Sequence, residues 1–106
     1  MTRPELISAL RELSEARIEL AERKSENYSS GDDALENFLL IETLTHGQVS
    51  AAQGIYVRLC DKVARLGSLA FGGQDMVDEP LIDTLRDLAN YADLMQICLR
   101  QPNPKG

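Results

Sequence analysis

Apolar residues recur along most of the chain at intervals of three and four positions, the spacing that places side chains on one face of an α-helix. The pattern predicts helices and contains no convincing strand. The predicted helices cover residues 3–24, 33–45, 49–70 and 78–99. The predicted fold is therefore all-α, a four-helix bundle that forms one domain over residues 1–100 and is followed by a flexible tail at 101–106.

Residues at the predicted helix ends support these bounds. Thr2 and Glu5 have the spacing of a capping box, in which each side chain accepts a hydrogen bond from the other's backbone N–H. Gly47 is placed to end the second helix, and Asp78 is placed to cap the fourth. The segment 25–31 is rich in Ser and Asn and ends in Gly, which predicts a loop.

The same spacing predicts which helix faces are buried. Apolar residues cover most of the circumference of the second helix, so we expect it to be the most buried. The third helix has a predicted inward stripe that consists of Ala52, Tyr56, Leu59, Val63, Leu66 and Ala70. The fourth helix has a predicted core seam of heptad-like spacing that consists of Leu81, Leu85, Leu88, Ala92, Met95 and Leu99.

Leu94 and Ile97 lie on the opposite side of the fourth helix from this predicted seam. A monomeric bundle would expose both side chains to water. An apolar floor beneath a polar pocket would account for them, and so would a partner subunit. We favour the partner subunit and predict a homo-oligomer.

Composition narrows the class of protein. Hydrophobic residues make up 43% of the 106 positions and charged residues 26%, which is typical of a globular protein. The formal net charge of -6 repels nucleic-acid backbones and anionic membranes, so we expect binding to neither. Without an apolar segment of membrane-spanning length or a signal sequence, the chain is predicted to be cytoplasmic. Cys60 and Cys98 lack CxxC spacing and are predicted to be reduced, as small apolar side chains beside the core.

Ionic side chains at one-turn spacing form a stripe on each of the last two predicted helices. The stripe on the third helix consists of Arg58, Asp61, Lys62 and Arg65. The stripe on the fourth helix consists of Glu79, Asp83, Asp87 and Asn90. If the two stripes face each other, they can hold a divalent metal ion and a phosphorylated ligand between them. Two solvated helix faces, or salt bridges between the helices, would explain the same spacing.

The chemistry of these side chains suits a magnesium–phosphate site. Asp83 and Asp87 are four residues apart, so their oxygens can converge on one Mg²⁺ ion. Arginine and lysine on the neighbouring stripe are the usual partners of phosphate oxygens. An acidic surface near a helix N-terminus accounts for the same carboxylates without any metal. The chain lacks the arrangements expected of Ser-His-Asp catalysis, a zinc site or a P-loop.

Two segments resemble a known family. Residues 54–66 read GIYVRLCDKVARL and residues 78–92 read DEPLIDTLRDLANYA, preceded by Asn27-Tyr28 and Asn37-Phe38. Together they resemble a phage and bacterial branch, associated with nucleotide modification, of the MazG-like all-α nucleoside triphosphate pyrophosphatase group. The resemblance covers about residues 24–95, and its most specific part is the DKxxRL motif combined with DxxxDLANYA.

The resemblance implies a dimeric or larger helical bundle that binds a nucleotide through Mg²⁺ and hydrolyses a nucleoside triphosphate to the monophosphate and pyrophosphate. By the same resemblance, the catalytic and metal-binding residues would be Asp61, Asp83 and Asp87. The nucleotide-binding residues would be Arg58, Lys62, Arg65, Asn90 and Tyr91, with Tyr28 as an alternative contact for the base or sugar.

The chain departs from the family at its metal ligands. The best-known members have four carboxylates in Glu-x-x-Glu and Glu-x-x-Asp motifs, whereas here Arg58 stands three residues before Asp61. Glu36 or Glu42 is a possible replacement ligand. The departure affects catalysis more than binding, so two alternatives to an enzyme stay open. They are a non-catalytic protein that binds or sequesters a nucleotide, and an acidic adaptor that binds a partner protein through Leu94 and Ile97.

Overall fold

The computed structural model describes residues 1–28, 35–71 and 79–100, with side chains at 1–23, 35–71 and 80–100. Four α-helices form this part of the chain, and no strand occurs within it. They are α1 (Arg3–Tyr28), α2 (Glu36–Leu44), α3 (Ala51–Phe71) and α4 (Glu79–Arg100). The all-α class predicted from the sequence is confirmed. The predicted tail at 101–106 and the predicted cap Asp78 lie outside the described residues.

The chain divides into two compact units, residues Met1–Ala34 and Leu35–Gly106. In the first unit, α1 starts with the predicted capping box. The Thr2 N–H donates to Glu5 Oε2 at 3.0 Å, and the Glu5 N–H donates to Thr2 Oγ1 at 3.3 Å. The helix continues to Tyr28, so the predicted loop is wrong over 25–28. Ser and Asn only weaken a helix, and no Gly or Pro occurs between Pro4 and Gly31 to stop it.

The second unit contains the other three helices, and a left-handed turn ends the first of them. The N–H of His46 donates to the Thr43 carbonyl at 3.2 Å, and the N–H of Gly47 donates to the Glu42 carbonyl at 2.7 Å. This pair of bonds is a Schellman motif. Gly47 has the positive φ expected of a C-terminal glycine, at 81°, but His46 precedes it with φ 54°. The left-handed backbone thus begins one residue earlier than predicted.

Helix α3 begins at a second capping box that the sequence prediction missed. The Gln53 N–H donates to Ser50 Oγ at 3.1 Å, and the Ser50 N–H donates to Gln53 Oε1 at 2.8 Å. Ser50 therefore stands just outside the helix, which starts at Ala51 rather than at the predicted Val49. The Ser-x-x-Gln spacing at 50–53 was the signal that could have located this start.

The buried core of the described residues lies in α3 and α4. Its members are Ala51, Ala52, Ile55, Leu81 and Thr84. The prediction that the second helix is the most buried is wrong, because α2 contains no buried residue. This helix has only nine residues, and its main described helix packing is against α3. One neighbour covers only one side of a helix that is apolar nearly all round.

Two rows of side chains, which we call the inner and outer seams, run along α4 and are offset by one residue. The inner seam consists of Leu81, Thr84, Leu88, Tyr91, Met95 and Cys98, all buried or half-buried. The outer seam consists of Ile82, Leu85, Ala89, Ala92, Gln96 and Leu99. Its large apolar members Ile82, Leu85 and Leu99 are 39%, 47% and 70% exposed. The predicted core seam combined residues of both and is wrong for Leu85, Ala92 and Leu99.

Several predicted positions on α3 and α4 are also corrected. Tyr56 and Val63 belong to the predicted inward stripe of α3, yet both are more than half exposed. Cys60 is exposed rather than beside the core, although Cys98 is half-buried as expected. Leu94 is half-buried and not an exposed patch with Ile97. The buried face of each helix differs from the predicted stripe. The most deeply buried side chains are Ile55 on α3 and Thr84 on α4, and neither belongs to a predicted stripe.

Candidate functional site

An ion pair joins the two predicted ionic stripes. Lys62 Nζ on α3 lies 2.9 Å from Asp87 Oδ2 on α4. Their side chains are 29% and 37% exposed, so the pair is partly shielded but still open to solvent on one side. The contact brings a basic side chain of one predicted stripe against an acidic side chain of the other. A salt bridge between the helices was the competing explanation of the stripes, and the contact itself fits that explanation equally well.

The helices on either side of this pair run antiparallel. Glu42 accepts a hydrogen bond from the first N–H of α3, and the same carboxylate acts electrostatically on Cys98 near the end of α4. The start of α3 therefore lies near the end of α4. Starting from the Lys62–Asp87 contact, Asp83 lies at the level of the C-terminal half of α3, toward Arg65.

Arg58 is held from the other side by α2. Its guanidinium carbon lies 5.4 Å from the centroid of the Phe38 ring, a cation–π contact. This contact gives Arg58 a structural partner at the position where the resemblance implies a carboxylate, three residues before Asp61. Phe38 was not among the predicted site residues. The Asn37-Phe38 pair was noted only as part of the resemblance.

The other predicted site residues are less constrained. Asp83 Oδ1 lies 3.7 Å from Arg86 Nη1 on the same helix, at the outer limit of a salt bridge, and both side chains are largely exposed. Asp61 and Arg65 are exposed on α3. Solvent surrounds much of the side chains of Asp61, Arg65 and Asp83. The charges are available to a ligand, but their own contacts do not position them.

Asn90 and Tyr91 continue along α4 past the ion pair, and both are half-buried. Tyr91 belongs to the inner seam, so its ring contributes to helix packing. Asn90 lies one residue before it, one turn beyond Asp87. Of the residues predicted to contact a nucleotide, these two are among the more enclosed.

The carboxylates form no metal cage within the described part of the chain. No group of three or more His, Cys, Asp or Glu side chains there is placed to hold a metal ion. Mg²⁺, however, is usually bound by one or two carboxylates together with phosphate oxygens and water. Asp83 and Asp87, one helical turn apart on α4, fit that requirement as a donor pair, provided that a phosphorylated ligand supplies the remaining oxygens.

Glu42 has a different role from that of the spare metal ligand considered in the sequence. Its Oε1 accepts a hydrogen bond from the Ala51 N–H at 2.9 Å, where the N-terminus of α3 favours a negative charge. Burial raises the pKa of the Cys98 thiol, and the negative charge of Glu42 raises it further. Glu42 thus ties α2 to the start of α3 and adds to the rise in the pKa of the Cys98 thiol.

No family model, curated protein or solved structure matches this chain. The case for a function therefore depends on the residues and their geometry. None of the helices in the described ranges has both the length and the apolar character needed to cross a membrane.

Proposed function

We propose that this chain is a MazG-like helical protein that binds the phosphates of a nucleoside triphosphate on the ionic face of α3 and α4. In this proposal Lys62, Arg65 and Arg58 contact phosphate oxygens, and Asn90 and Tyr91 contact the sugar or base. The observation that supports it is the Lys62–Asp87 contact at 2.9 Å, since it places a basic residue of one predicted stripe directly against an acid of the other.

The partial burial of this pair matters for binding. A lysine side chain that is 29% exposed is screened less by water than a fully exposed one, so its attraction for phosphate is stronger. Its open side still allows a ligand to approach. An anionic ligand would share Lys62 with Asp87 or replace that carboxylate as its partner.

Mg²⁺ is the proposed cofactor, with Asp83 and Asp87 as its protein ligands and Asp61 as the third acid that the resemblance implies. When bound, it would neutralise phosphate charge and favour attack by water. The proposed reaction is hydrolysis at the α-phosphorus. A water oxygen bonds to that atom, the bond to the bridging oxygen breaks, and pyrophosphate leaves the nucleoside monophosphate. Lys62 and Arg65 would stabilise the charge on the departing phosphates.

A non-catalytic nucleotide-binding protein is the second candidate, and one observation favours it. In the described residues three carboxylates do not group together, and Asp87 already has Lys62 as a partner. A site of this kind can bind a nucleotide without holding a metal in the position needed for turnover. Both candidates use the same face of α3 and α4, so they differ in chemistry and not in location.

The proposal includes assembly into a homo-oligomer. Large apolar side chains are exposed on α3 and α4, among them Tyr56, Val63 and Leu99. Exposed apolar area of this kind is typical of a surface that contacts another subunit. The Leu94–Ile97 patch on which the sequence prediction was based is not this surface, because Leu94 is half-buried.

Calorimetric titration with nucleoside triphosphates in a metal-free buffer tests the binding step. We expect Lys62→Met to weaken binding by about tenfold, equivalent to roughly 1.4 kcal/mol, because it removes the partly buried cation. The matched control is Arg23→Met, which also removes one positive charge from an ion pair, with Glu19 on α1. Equal affinities for the two variants, or no binding by the natural chain, would reject the proposal.

Asp87→Asn distinguishes turnover from binding. Without metal, loss of this carboxylate frees Lys62 and should leave nucleotide affinity unchanged or higher. With Mg²⁺, the enzyme candidate predicts that pyrophosphate release by the natural chain is abolished in the variant. The non-catalytic candidate predicts that the natural chain releases no pyrophosphate from any nucleoside triphosphate in a panel of canonical and modified bases.

A further inference from the structure

The outer seam of α4 has the spacing of a helix that pairs with another helix. Its six positions, 82, 85, 89, 92, 96 and 99, alternate between steps of three and four residues over five intervals. This is the a/d pattern of a coiled coil, and it contains no charged residue. The large side chains at its two ends are exposed, as Ile82 and Leu99 show.

We infer that the outer seam binds the outer seam of a second copy of this chain, with the two α4 helices antiparallel. The inference rests on the homo-oligomer part of the proposed function and is independent of nucleotide binding. Antiparallel pairing about a two-fold axis between residues 90 and 91 places Ile82 opposite Leu99 of the other copy. It also places Ala89 opposite Ala92.

The size of the side chains fits this arrangement. The two alanines lie at the centre of the seam, where their small size allows close approach of the two helices. The larger Ile82 and Leu99 lie at opposite ends of the seam. At each end of the interface, Ile82 of one copy therefore packs against Leu99 of the other. The same surface on both copies would be used, as a two-fold interface requires.

The charges beside the seam select a second copy in this orientation. Arg86 and Asp93 directly follow Leu85 and Ala92 and flank the seam on the same side. In the antiparallel pair, Arg86 of each copy, which lies 3.7 Å from Asp83 of its own helix, is opposite Asp93 of the other copy. This arrangement gives two interchain ion pairs. In a parallel pair, the charged residues beside the seam would face inner-seam positions of the other copy. Those positions are Leu81, Leu88 and Met95, and none of them has a complementary charge.

Disulfide crosslinking tests both the face and the orientation. The native thiols are first removed as Cys60→Ser and Cys98→Ala, and Ile82→Cys and Leu99→Cys are then introduced together or singly. We expect the double variant to form covalent dimers under mild oxidation and each single variant to remain uncrosslinked. In one antiparallel pair, the two copies of residue 82 are separated by roughly 25 Å, too far for a disulfide.

Charge exchange in the otherwise natural chain provides a second measurement that needs no cysteine. Arg86→Glu places like charges opposite each other and should weaken dimerisation by about tenfold in sedimentation equilibrium. Adding Asp93→Arg should restore it. Val57→Glu, which adds a charge at another exposed apolar position, is the matched control and should leave the dimer intact.

The crosslinking and charge-exchange experiments can contradict the inference in several ways, and each result rejects a different part of it. Crosslinking of the single variants would show a parallel pair, and absence of rescue by the charge exchange would also reject the antiparallel orientation. A natural chain that is dimeric but yields no crosslink in the double variant would show that a different face assembles. A monomeric natural chain, with the outer seam covered within one chain, would reject both this inference and the proposed homo-oligomer, whatever the result of nucleotide titration.

Discussion

His46 determines where α2 ends by its backbone rather than by its imidazole. Its φ of 54° lies in the left-handed region, where a residue with a Cβ is strained and glycine is not. Gly47 supplied the turn signal in the sequence, but nothing in a single sequence shows that the preceding residue shares the left-handed conformation. The chain therefore contains an unfavourable residue at a position that usually contains glycine.

His46→Gly should stabilise the protein. We expect an increase of about 0.5–1 kcal/mol in the free energy of unfolding, measured by urea denaturation, because the left-handed strain is removed. His46→Ala is the control, since alanine keeps a Cβ and retains most of the strain. The interpretation fails if the glycine variant is no more stable than the alanine variant.

The Cys98 thiol gives the fold a predictable pH dependence. Burial, and secondly Glu42, raises its pKa in the folded protein, so the folded state favours the protonated thiol. This stabilising contribution is complete below the pKa of the unfolded thiol and is lost as pH rises through the folded value.

Stability should therefore decline in the alkaline range, and Cys98→Ala should reduce that decline. Glu42→Gln should lower the thiol pKa only in part, because burial is the larger cause. The rate of alkylation of Cys98 against pH, measured with Cys60→Ser, reports this change. An unchanged alkylation profile in the Glu42→Gln variant would show that the carboxylate does not act on the thiol.

At the scale of the helix, the sequence predicts that a helix is present better than it predicts which face of that helix is buried. All four helices were predictable from apolar spacing, and the Thr2–Glu5 capping box located the first start correctly. The inner and outer seams of α4 both have three–four spacing, so periodicity alone could not tell which one faces α3. Packing against α3 selects the inner seam, and that information lies in the other helix.

The α2–α3 contact gives a comparison between two glycines of one helix. A Cβ added at Gly54 would lie 3.1 Å from Ile41 Cδ1 and 3.3 Å from Ile41 Cγ2, whereas one added at Gly67 would meet nothing within 4 Å. The sequence showed two helix-weakening glycines and could not separate them. Close approach of α2 explains Gly54, and no contact among the described residues explains Gly67.

Gly67→Ala should raise the free energy of unfolding by about 0.5–1 kcal/mol, the usual gain in helix propensity. The free energy of unfolding of the Gly54→Ala variant should be lower than that of the Gly67→Ala variant by about 1 kcal/mol or more, because Ile41 must shift to relieve the tight contacts. Thermal or urea unfolding of both variants tests the difference. Similar gains in the two would mean that α2 does not approach α3 closely at Gly54.

At the scale of the whole molecule, the sequence predicted two ionic stripes that could face each other, but it did not predict which of their residues meet. Lys62 and Asp87 are the members of the two stripes that meet, at a distance of 2.9 Å. The exposed Asp61 and Arg65 could not be placed, since nothing in the sequence fixes the rotation of a helix about its axis. The cation–π contact of Arg58 with Phe38 depends on α2, which the sequence prediction had placed in the core.

The net charge of -6 makes the proposed anion site on this protein a local exception. Three of the 11 basic residues, Arg58, Lys62 and Arg65, lie within eight consecutive positions of α3. These three cations attract a phosphate group locally, with Asp61 among them, while the net charge of the chain is negative. Binding should be specific in location even where the affinity is modest.

Location is thus the property to measure, and NMR titration of the isotopically labelled full chain with a nucleoside triphosphate measures it residue by residue. We expect the largest amide shift changes at residues 58–65 of α3 and 83–91 of α4, around the Lys62–Asp87 pair. Shift changes concentrated on α1, or no changes at millimolar nucleotide, would contradict the proposed site.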